Sequence, residues 1–243
     1  MSISSTLERV HFTVKHNKWH RYTAIFFRVG LAWGFLPSGF TKINGERFTS
    51  LSNNHPMGQY LEALHHTGYY YTFIGILQVT AAILLLIPRT ALLGALLYLP
   101  IILNICILSY AVRFEGSALT SPLMVLANLY LLWWNYDKLK YILPINHSTT
   151  ISTTPKPQTL SNKFPAAFFA AVVASVVIIV LIQINPNYIT PRNHIGDCKL
   201  QFEGTNRTRA GLYFCDCIHN QGQQLDSCLD KYDKAPDDNI KTP

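Results

Sequence analysis

Charged side chains are scarce in this 243-residue chain, in which Asp, Glu, Lys and Arg make up 14% of the residues. They are almost absent from five apolar runs between residues 22 and 184. A membrane-spanning helix needs roughly 20 mostly apolar residues, and its backbone polar groups must be bonded within the segment. The runs therefore predict membrane helices and exclude an ordinary soluble enzyme. They are Tyr22–Phe40, Tyr70–Ile87, Leu92–Val112, Leu119–Trp134 and Ala166–Ile184.

Several functional signatures are also missing. The sequence has no nucleotide-binding loop, no hydrolase triad, no pair of catalytic carboxylates and no C-x-x-C-H haem motif. No histidine lies inside a predicted span, so the membrane part offers no axial haem ligand. Because there is no inverted repeat and no pair of interrupted spans, a transporter is disfavoured as well.

Lysine and arginine in the short connections set the orientation of a membrane protein. Nine of them lie on one predicted side and three on the other. The N-terminus is therefore predicted to be cytoplasmic, in a bacterial inner membrane, and the C-terminus periplasmic. The net charge of +7 reflects this bias and gives no reason to expect nucleic-acid binding. The groups are Arg9, Lys15, Lys18, Arg21, Arg89, Lys138, Lys140, Lys156 and Lys163 against Lys42, Arg47 and Arg113.

The predicted organisation has five parts, and the N-terminal one shows no signal-peptide pattern. The Thr-, Ser- and Pro-rich linker has too few apolar side chains to pack. In the long outer loop at residues 41–69, the apolar spacing after Pro56 predicts a short amphipathic helix that stops near Gly68. The parts are a cytoplasmic segment 1–21, a four-helix membrane domain 22–144, a cytoplasmic linker 145–165, a fifth transmembrane helix 166–185 and a periplasmic cysteine-containing domain 186–243.

The first predicted span and the residues after it carry a distinctive pattern. RVGLAWGFLPSGFTKINGERFT (Arg28–Thr49) has an arginine near the cytoplasmic end and a glycine–lysine signature at the outer end, and it resembles the first helix of the DoxX-like family of membrane proteins. Gly75–Ile107 and Leu126–Leu143 resemble the rest of the same unit, and the segments LPSGFTK and IPRTALLGA are similar to its Bacteroidetes-type version. The resemblance covers residues 20–144 and implies an all-α, four-helix transmembrane bundle. Relatives are associated with thiosulfate:quinone oxidoreductase, methylamine-utilisation maturation and membrane redox complexes, which implies quinone-linked or thiol-linked redox work.

Polar residues inside the spans are costly in a membrane, so they are expected to face the interior of the bundle or a cavity. Amide and guanidinium donors that face an apolar slot would suit the two carbonyl acceptors of a quinone. The candidate slot for a quinone or another ligand consists of Arg28, Gln78, Asn104 and Asn128. Alternatively, Arg28 pairs with Asp137, and the amides join the helices through hydrogen bonds. The sequence assigns no cofactor with certainty and no catalytic residue.

A second candidate cluster lies at the predicted periplasmic end of the bundle. It contains Lys42, Glu62, His65 and Arg113, with Glu46, Arg47, His66 and Glu115 as neighbours. Lys42 and Glu62 are the residues expected to meet a substrate or quinone that enters from this side. The alternative is a solvated, charged rim. Because His65 and His66 are adjacent and point in different directions on a helix, no metal site is predicted.

Four of the five cysteines lie in the last 59 residues. An even number outside the cytoplasm predicts two structural disulfides, with three pairings open. LYFCDC is interpreted as a strand on which Cys215 and Cys217 point to opposite faces, so each is expected to pair with either Cys198 or Cys228. The alternatives are a redox-active C-x-C pair and a zinc site with His219. The fifth cysteine, Cys106, is expected to pack in a span as a small apolar residue.

Three functions fit these features. In the first, the bundle is the platform of an accessory subunit in an envelope complex, and residues 186–243 dock a membrane or periplasmic protein. The second is a quinone-linked redox subunit, and the third is a thiol–disulfide membrane protein that uses the tail cysteines. The first is preferred because the added anchor and the exported domain depart from the DoxX-like pattern. Enzymatic activity is left open.

Overall fold

The computed structural model describes residues 10–140, 160–185 and 188–238, so most of the predicted linker lies outside the described residues. Within these ranges the chain is helical, and its only β-type pairing is an isolated bridge between Asn17 and Ser161. After a short helical stretch at residues 10–15, the helices are α1 (Lys18–Ile43), α2 (Pro56–His65), α3 (Tyr69–Leu86), α4 (Ala91–Ala111), α5 (Glu115–Ala118), α6 (Thr120–Trp134), α7 (Tyr136–Leu139), α8 (Ala166–Gln183), α9 (Ile195–Leu200), α10 (Thr208–His219) and α11 (Leu225–Lys234).

Four helical segments of the described chain are long and apolar enough to cross a membrane: α3, α4, the α5–α6 segment Glu115–Trp134, and α8. They confirm the second to fifth predicted spans. The first predicted span forms the 26-residue helix α1, but this helix is not among the four. Its central Arg28 and several small or polar residues make it less apolar than the others. The chain is an all-α membrane protein.

The described residues of 1–37, 77–102 and 123–178 form one compact unit. Its core contains small, aromatic and branched aliphatic side chains. Phe35 stacks on Tyr98 with ring centroids 3.6 Å apart, and the Tyr98 hydroxyl donates to the carbonyl of Leu31 at 3.2 Å. Ala81, Ala82 and Ala95 are fully buried. Small residues at these positions let helix backbones approach closely, as in many membrane bundles.

A second compact unit contains the described residues of 38–76, 103–122 and 179–243. It contains the long outer loop together with the C-terminal tail, which includes the predicted cysteine-containing domain at 186–243. The predicted amphipathic helix is present as α2, with Pro56 in its first turn, and Gly68 follows it with φ of +61°. Positive φ costs glycine little, which explains the turn at this position.

The described residues of the tail, 188–238, contain three helices, and the predicted strand LYFCDC was wrong: these residues belong to α10. The disulfides are Cys198–Cys215, which joins α9 to α10, and Cys217–Cys228, which joins α10 to α11. The expectation that Cys215 and Cys217 have different partners is therefore confirmed. The sulfurs lie in a core that also contains Phe202, Ala210, Phe214, Ile218, Leu225 and Tyr232.

Candidate functional site

Arg28 closes the C-terminal end of α3. Its Nε donates to the carbonyl of Leu85 and its Nη2 to that of Leu86, both at 2.6 Å. Thr90 donates to the preceding carbonyl, Leu84, at 3.0 Å. The last carbonyls of a helix have no partner inside the helix, and in a membrane they find no water. The guanidinium and the hydroxyl therefore satisfy acceptors that would otherwise be left unpaired.

The alternative pairing of Arg28 with Asp137 was wrong. The Asp137 carboxylate instead accepts from Lys15 Nζ at 2.7 Å. Lys15 precedes the first predicted span and Asp137 follows the fourth, and both lie at the side expected to be cytoplasmic. The arginine is thus held by backbone carbonyls, a type of partner that no sequence pattern marks.

The three amides of the predicted slot differ in their surroundings. Asn128 is fully buried, and its Nδ2 donates to the carbonyl of Ala95 on α4 at 3.0 Å. Its Oδ1 has no hydrogen-bond partner among the described residues. Gln78 is also buried, at 1% exposed. Asn104, in contrast, is exposed on the surface of α4. The contacts of Arg28 and Asn128 are those of helix-joining groups, and a quinone at these residues stays a prediction.

Replacing Arg28 with Met is expected to lower the stability of the membrane domain by about 1–2 kcal/mol, because two charge-assisted hydrogen bonds to carbonyls are lost. The melting temperature of the purified protein in one detergent measures this. Arg28→Lys is the matched comparison, since its ammonium can replace part of the donation. An Arg28→Met protein as stable as the wild type would contradict the capping role.

At the outer mouth, Glu62 is the centre of an ion-pair network. One carboxylate oxygen lies 2.7 Å from Arg47 Nε and the other lies 3.0 Å from His66 Nε2. Arg47 also donates to the carbonyl of Leu51 at 2.8 Å, so it fixes the loop before α2. His65 contacts the carbonyl of Gly45 at 3.0 Å through Nε2 and is not part of the network. This half of the predicted cluster therefore orders the outer loop.

Lys42 is the unusual member of the cluster because it is buried, at 6% exposed, two residues beyond the predicted span. Its Nζ donates to the Ser38 carbonyl at 3.1 Å and to the Ser38 hydroxyl at 2.7 Å. It lies 4.4 Å from the ring centroid of Phe48 and has no carboxylate partner in the described part of the chain. Burial lowers the pKa of Lys42 to about 8, since desolvation disfavours the charged form.

Arg113 and Glu115, the remaining members, hold the chain that leads into the tail. Arg113 donates to the carbonyl of Ile189 at 2.7 Å and lies over the ring of Tyr188. Glu115 accepts from the Thr190 hydroxyl at 3.2 Å and forms an ion pair with Arg192. An open cleft of about 440 Å³ adjoins this pair, lined by Glu115, Arg192, Asn193, Asp197, Leu200 and Gln201.

The sequence did not predict a set of contacts between the outer loop and the tail. Asn54 Nδ2 donates to the carbonyls of His219 and Asn220 at 2.8 and 3.2 Å, and Gln59 donates to the carbonyl of Gly222 at 3.3 Å. The carbonyls of His219 and Asn220 end α10 and lack helical partners, while Gly222 lies three residues beyond the helix. The outer loop therefore caps a helix of the tail, and the two segments form one structure.

The chain is 36% identical over 124 residues to YwoB, an uncharacterized protein of Bacillus subtilis (strain 168); the match covers 46% of this chain and 76% of YwoB. The chain belongs to the YwoB family. No family model matches the chain, and no solved structure matches it.

Within this member of the YwoB family, the chemistry of the tail cysteines is restricted by burial. All four are 0% exposed. Disulfide exchange requires a thiolate to reach a sulfur atom, so these buried bridges are poor substrates for it. The described residues contain no group of three or more His, Cys, Asp or Glu that could hold a metal ion. The alternative of a zinc site with His219 is wrong, because the tail cysteines that would bind the zinc are all in disulfides.

Proposed function

We propose that this protein is an accessory subunit of an envelope complex in the bacterial inner membrane. Its DoxX-like helical bundle is the platform, and its disulfide-bonded tail, held on the outer loop, docks a membrane or periplasmic protein. The N-terminus is cytoplasmic and the C-terminal domain is periplasmic. The observation that carries the proposal is the set of contacts from Asn54 and Gln59 to residues 219–222, since they hold the exported domain in a defined position.

A fixed domain with exposed apolar side chains is suited to protein docking. Leu212 and Tyr213 are adjacent on α10 and are 41% and 47% exposed. Leu200 at the end of α9 is 59% exposed. Tyrosine is among the side chains that supply most of the binding energy where proteins meet, and surrounding apolar contacts exclude water from it. These three residues are therefore the part of the tail on which we expect a partner to bind.

The distribution of the connections between the two compact units supports the proposed orientation in the membrane. The N-terminal segment, the Pro88–Thr90 turn and residues 135–140 and 160–163 fall in one unit, and these connections carry Lys15, Arg89, Lys138, Lys140 and Lys163. The outer loop, residues 112–119 and the tail fall in the other unit, which contains both disulfides. Basic connections favour the cytoplasm, and disulfides persist outside it.

The competing hypotheses have less support. The thiol–disulfide hypothesis needs accessible sulfur, and all four tail cysteines are buried. The quinone hypothesis needs free donors in a slot, but Arg28 and the Asn128 amide nitrogen donate to backbone carbonyls. A platform requires neither feature.

Purification of the tagged protein from its native membrane in a mild detergent tests the proposal. We expect a protein partner in a fixed ratio to the chain, without redox centres, as measured by quantitative mass spectrometry. The double substitution Leu212→Ser with Tyr213→Ser should reduce recovery of this partner about tenfold or more, as loss of central apolar contacts does at other interfaces.

Lys234→Ser is the matched control, because Lys234 is exposed on α11 and its ion pair with Asp230 is on the surface. It should recover the partner like the wild type. A partner that the double variant still retains would overturn the docking role of α10. A co-purified dehydrogenase or bound quinone would favour the redox alternative and direct attention to Arg28 and Asn128.

A further inference from the structure

His55 is a fully buried histidine at the start of α2. Its Nδ1 accepts the backbone N–H of Met57 at 3.1 Å and so caps the helix. A ring nitrogen that accepts carries no proton, and the neutral ring therefore has its proton on Nε2. This Nε2 is buried and has no hydrogen-bond partner of normal geometry among the described residues.

His219 is the last residue of α10, and its ring centroid lies 5.9 Å from that of His55. It is 9% exposed, and its Nε2 donates to the carbonyl of Pro191 at 2.7 Å. Its own carbonyl accepts from Asn54, the residue before His55. The two imidazoles therefore lie where the outer loop and the tail join.

Protonation of His55 would disturb this junction in three ways. A charge would be buried away from water, which is costly without a counterion. Nδ1 would become a donor that faces the N–H of Met57, so the helix cap would be lost. The new charge would also lie beside His219.

Few charged groups face the His55 ring within the described chain. His219 lies on the tail side, and Phe114 covers another side with ring centroids 6.2 Å apart. Arg192 approaches through its backbone, while its guanidinium pairs with Glu115. The guanidinium of Arg113, the neighbour of Phe114, donates to Ile189. Among the residues that the structure describes, no unpaired carboxylate therefore faces the ring to offset a proton on His55.

We propose that His55 and His219 form a pH-sensitive latch that holds the tail on the outer loop near neutral pH and releases it on acidification. The latch needs no binding partner, so it does not depend on the proposed docking function. It adds a regulated state in which the carbonyls at the end of α10 and the N-terminus of α2 become accessible.

Proton linkage determines the direction in which the stability of docking changes with pH. Burial and, to a smaller extent, the nearby His219 lower the pKa of His55 to about 4, and the Arg192 backbone partly opposes the shift. After release, the pKa of the His55 ring returns toward its ordinary value of 6.5. The released state then binds more protons between these values. Docking is fully stable above pH 6.5 and weakens as the pH falls toward 4.

Hydrogen exchange of the full-length protein in nanodiscs tests the latch, with protection factors corrected for the intrinsic rate at each pH. For pKa values of about 4 and 6.5, protection in peptides covering residues 55–66 and 216–223 should fall about 30-fold from pH 7.5 to pH 5. Peptides from α3 and α4 should not change. A wild-type protein with equal protection at both pH values would overturn the proposal, and this outcome needs no variant.

His55→Asn separates titration from structure, because asparagine is a good N-cap acceptor and does not titrate. Its protection should change less than about threefold over the same pH range. His194→Gln, at an exposed histidine without a side-chain cap bond, should keep the wild-type response. A His55→Asn protein that retains the full response would refute the role of His55. His219→Gln, which preserves a donor for Pro191, should show a reduced response and provides a second test.

Discussion

Loss of both disulfides is expected to unfold the C-terminal domain while the membrane helices stay folded. The bridges span 17 and 11 residues, and each contributes about 3 kcal/mol by restricting the unfolded chain. A domain this small has a thin apolar core, made largely of Phe202, Phe214, Ile218 and Tyr232 around the sulfurs. The combined loss is comparable to the whole stability of such a domain.

Protease resistance of residues 195–234 measures this effect in a variant with all four tail cysteines replaced by serine. Far-ultraviolet circular dichroism of the same sample reports whether the membrane helices persist. Cys106→Ser is the matched control, since Cys106 is the one free cysteine and lies in α4. A tail that stays resistant without its bridges would show that the helical core and the outer-loop contacts are sufficient.

That Cys215 and Cys217 have different disulfide partners could be predicted, but the local structure and the choice between the two remaining pairings could not. Two residues apart in a strand, Cys215 and Cys217 would point to opposite faces. In α10 they are separated by about 200° around the helix axis, since each residue adds about 100°. Both geometries keep the pair from bonding to each other. The argument therefore depended on spacing alone and not on the type of element.

The membrane spans could be predicted for a similar reason. A long apolar run in a chain with few charges has one stable outcome in a bilayer, and α3, α4, α6 and α8 begin and end within three residues of the predicted limits. Helix α2 followed from Pro56 and the apolar spacing after it. Both signals come from residues close together in the sequence, and such local patterns can be read from a single sequence.

The long-range polar contacts could not be predicted. Arg28 binds carbonyls of Leu85 and Leu86, and a backbone carbonyl carries no residue-type signal. Asn54 binds carbonyls more than 160 positions away, so its partner depends on how the tail folds. His55, however, precedes Pro56 at a helix start, and that position alone marks it as an N-cap.

The end of α3 shows how the bundle depends on small residues as well as on caps. A Cβ atom added at Gly94 would lie 2.6 Å from the backbone nitrogen of Leu85 and 2.9 Å from the carbonyl carbon of Leu84. Side-chain rotation cannot relieve a contact with backbone atoms. Leu85 is also the residue whose carbonyl Arg28 binds, so displacement of α3 here would break that cap as well.

Gly94→Ala is therefore expected to destabilise the bundle by about 3 kcal/mol, through overpacking and the coupled loss of the Arg28 contact. Thermal melting in detergent measures the change. Gly30→Ala is the same substitution in α1 at a site with no atom within 4 Å of the added carbon. It should be neutral or slightly stabilising, by up to about 1 kcal/mol, because alanine favours a helix more than glycine does. Equal effects at both glycines would mean that helix propensity, and not the close approach of α3 and α4, determines the result.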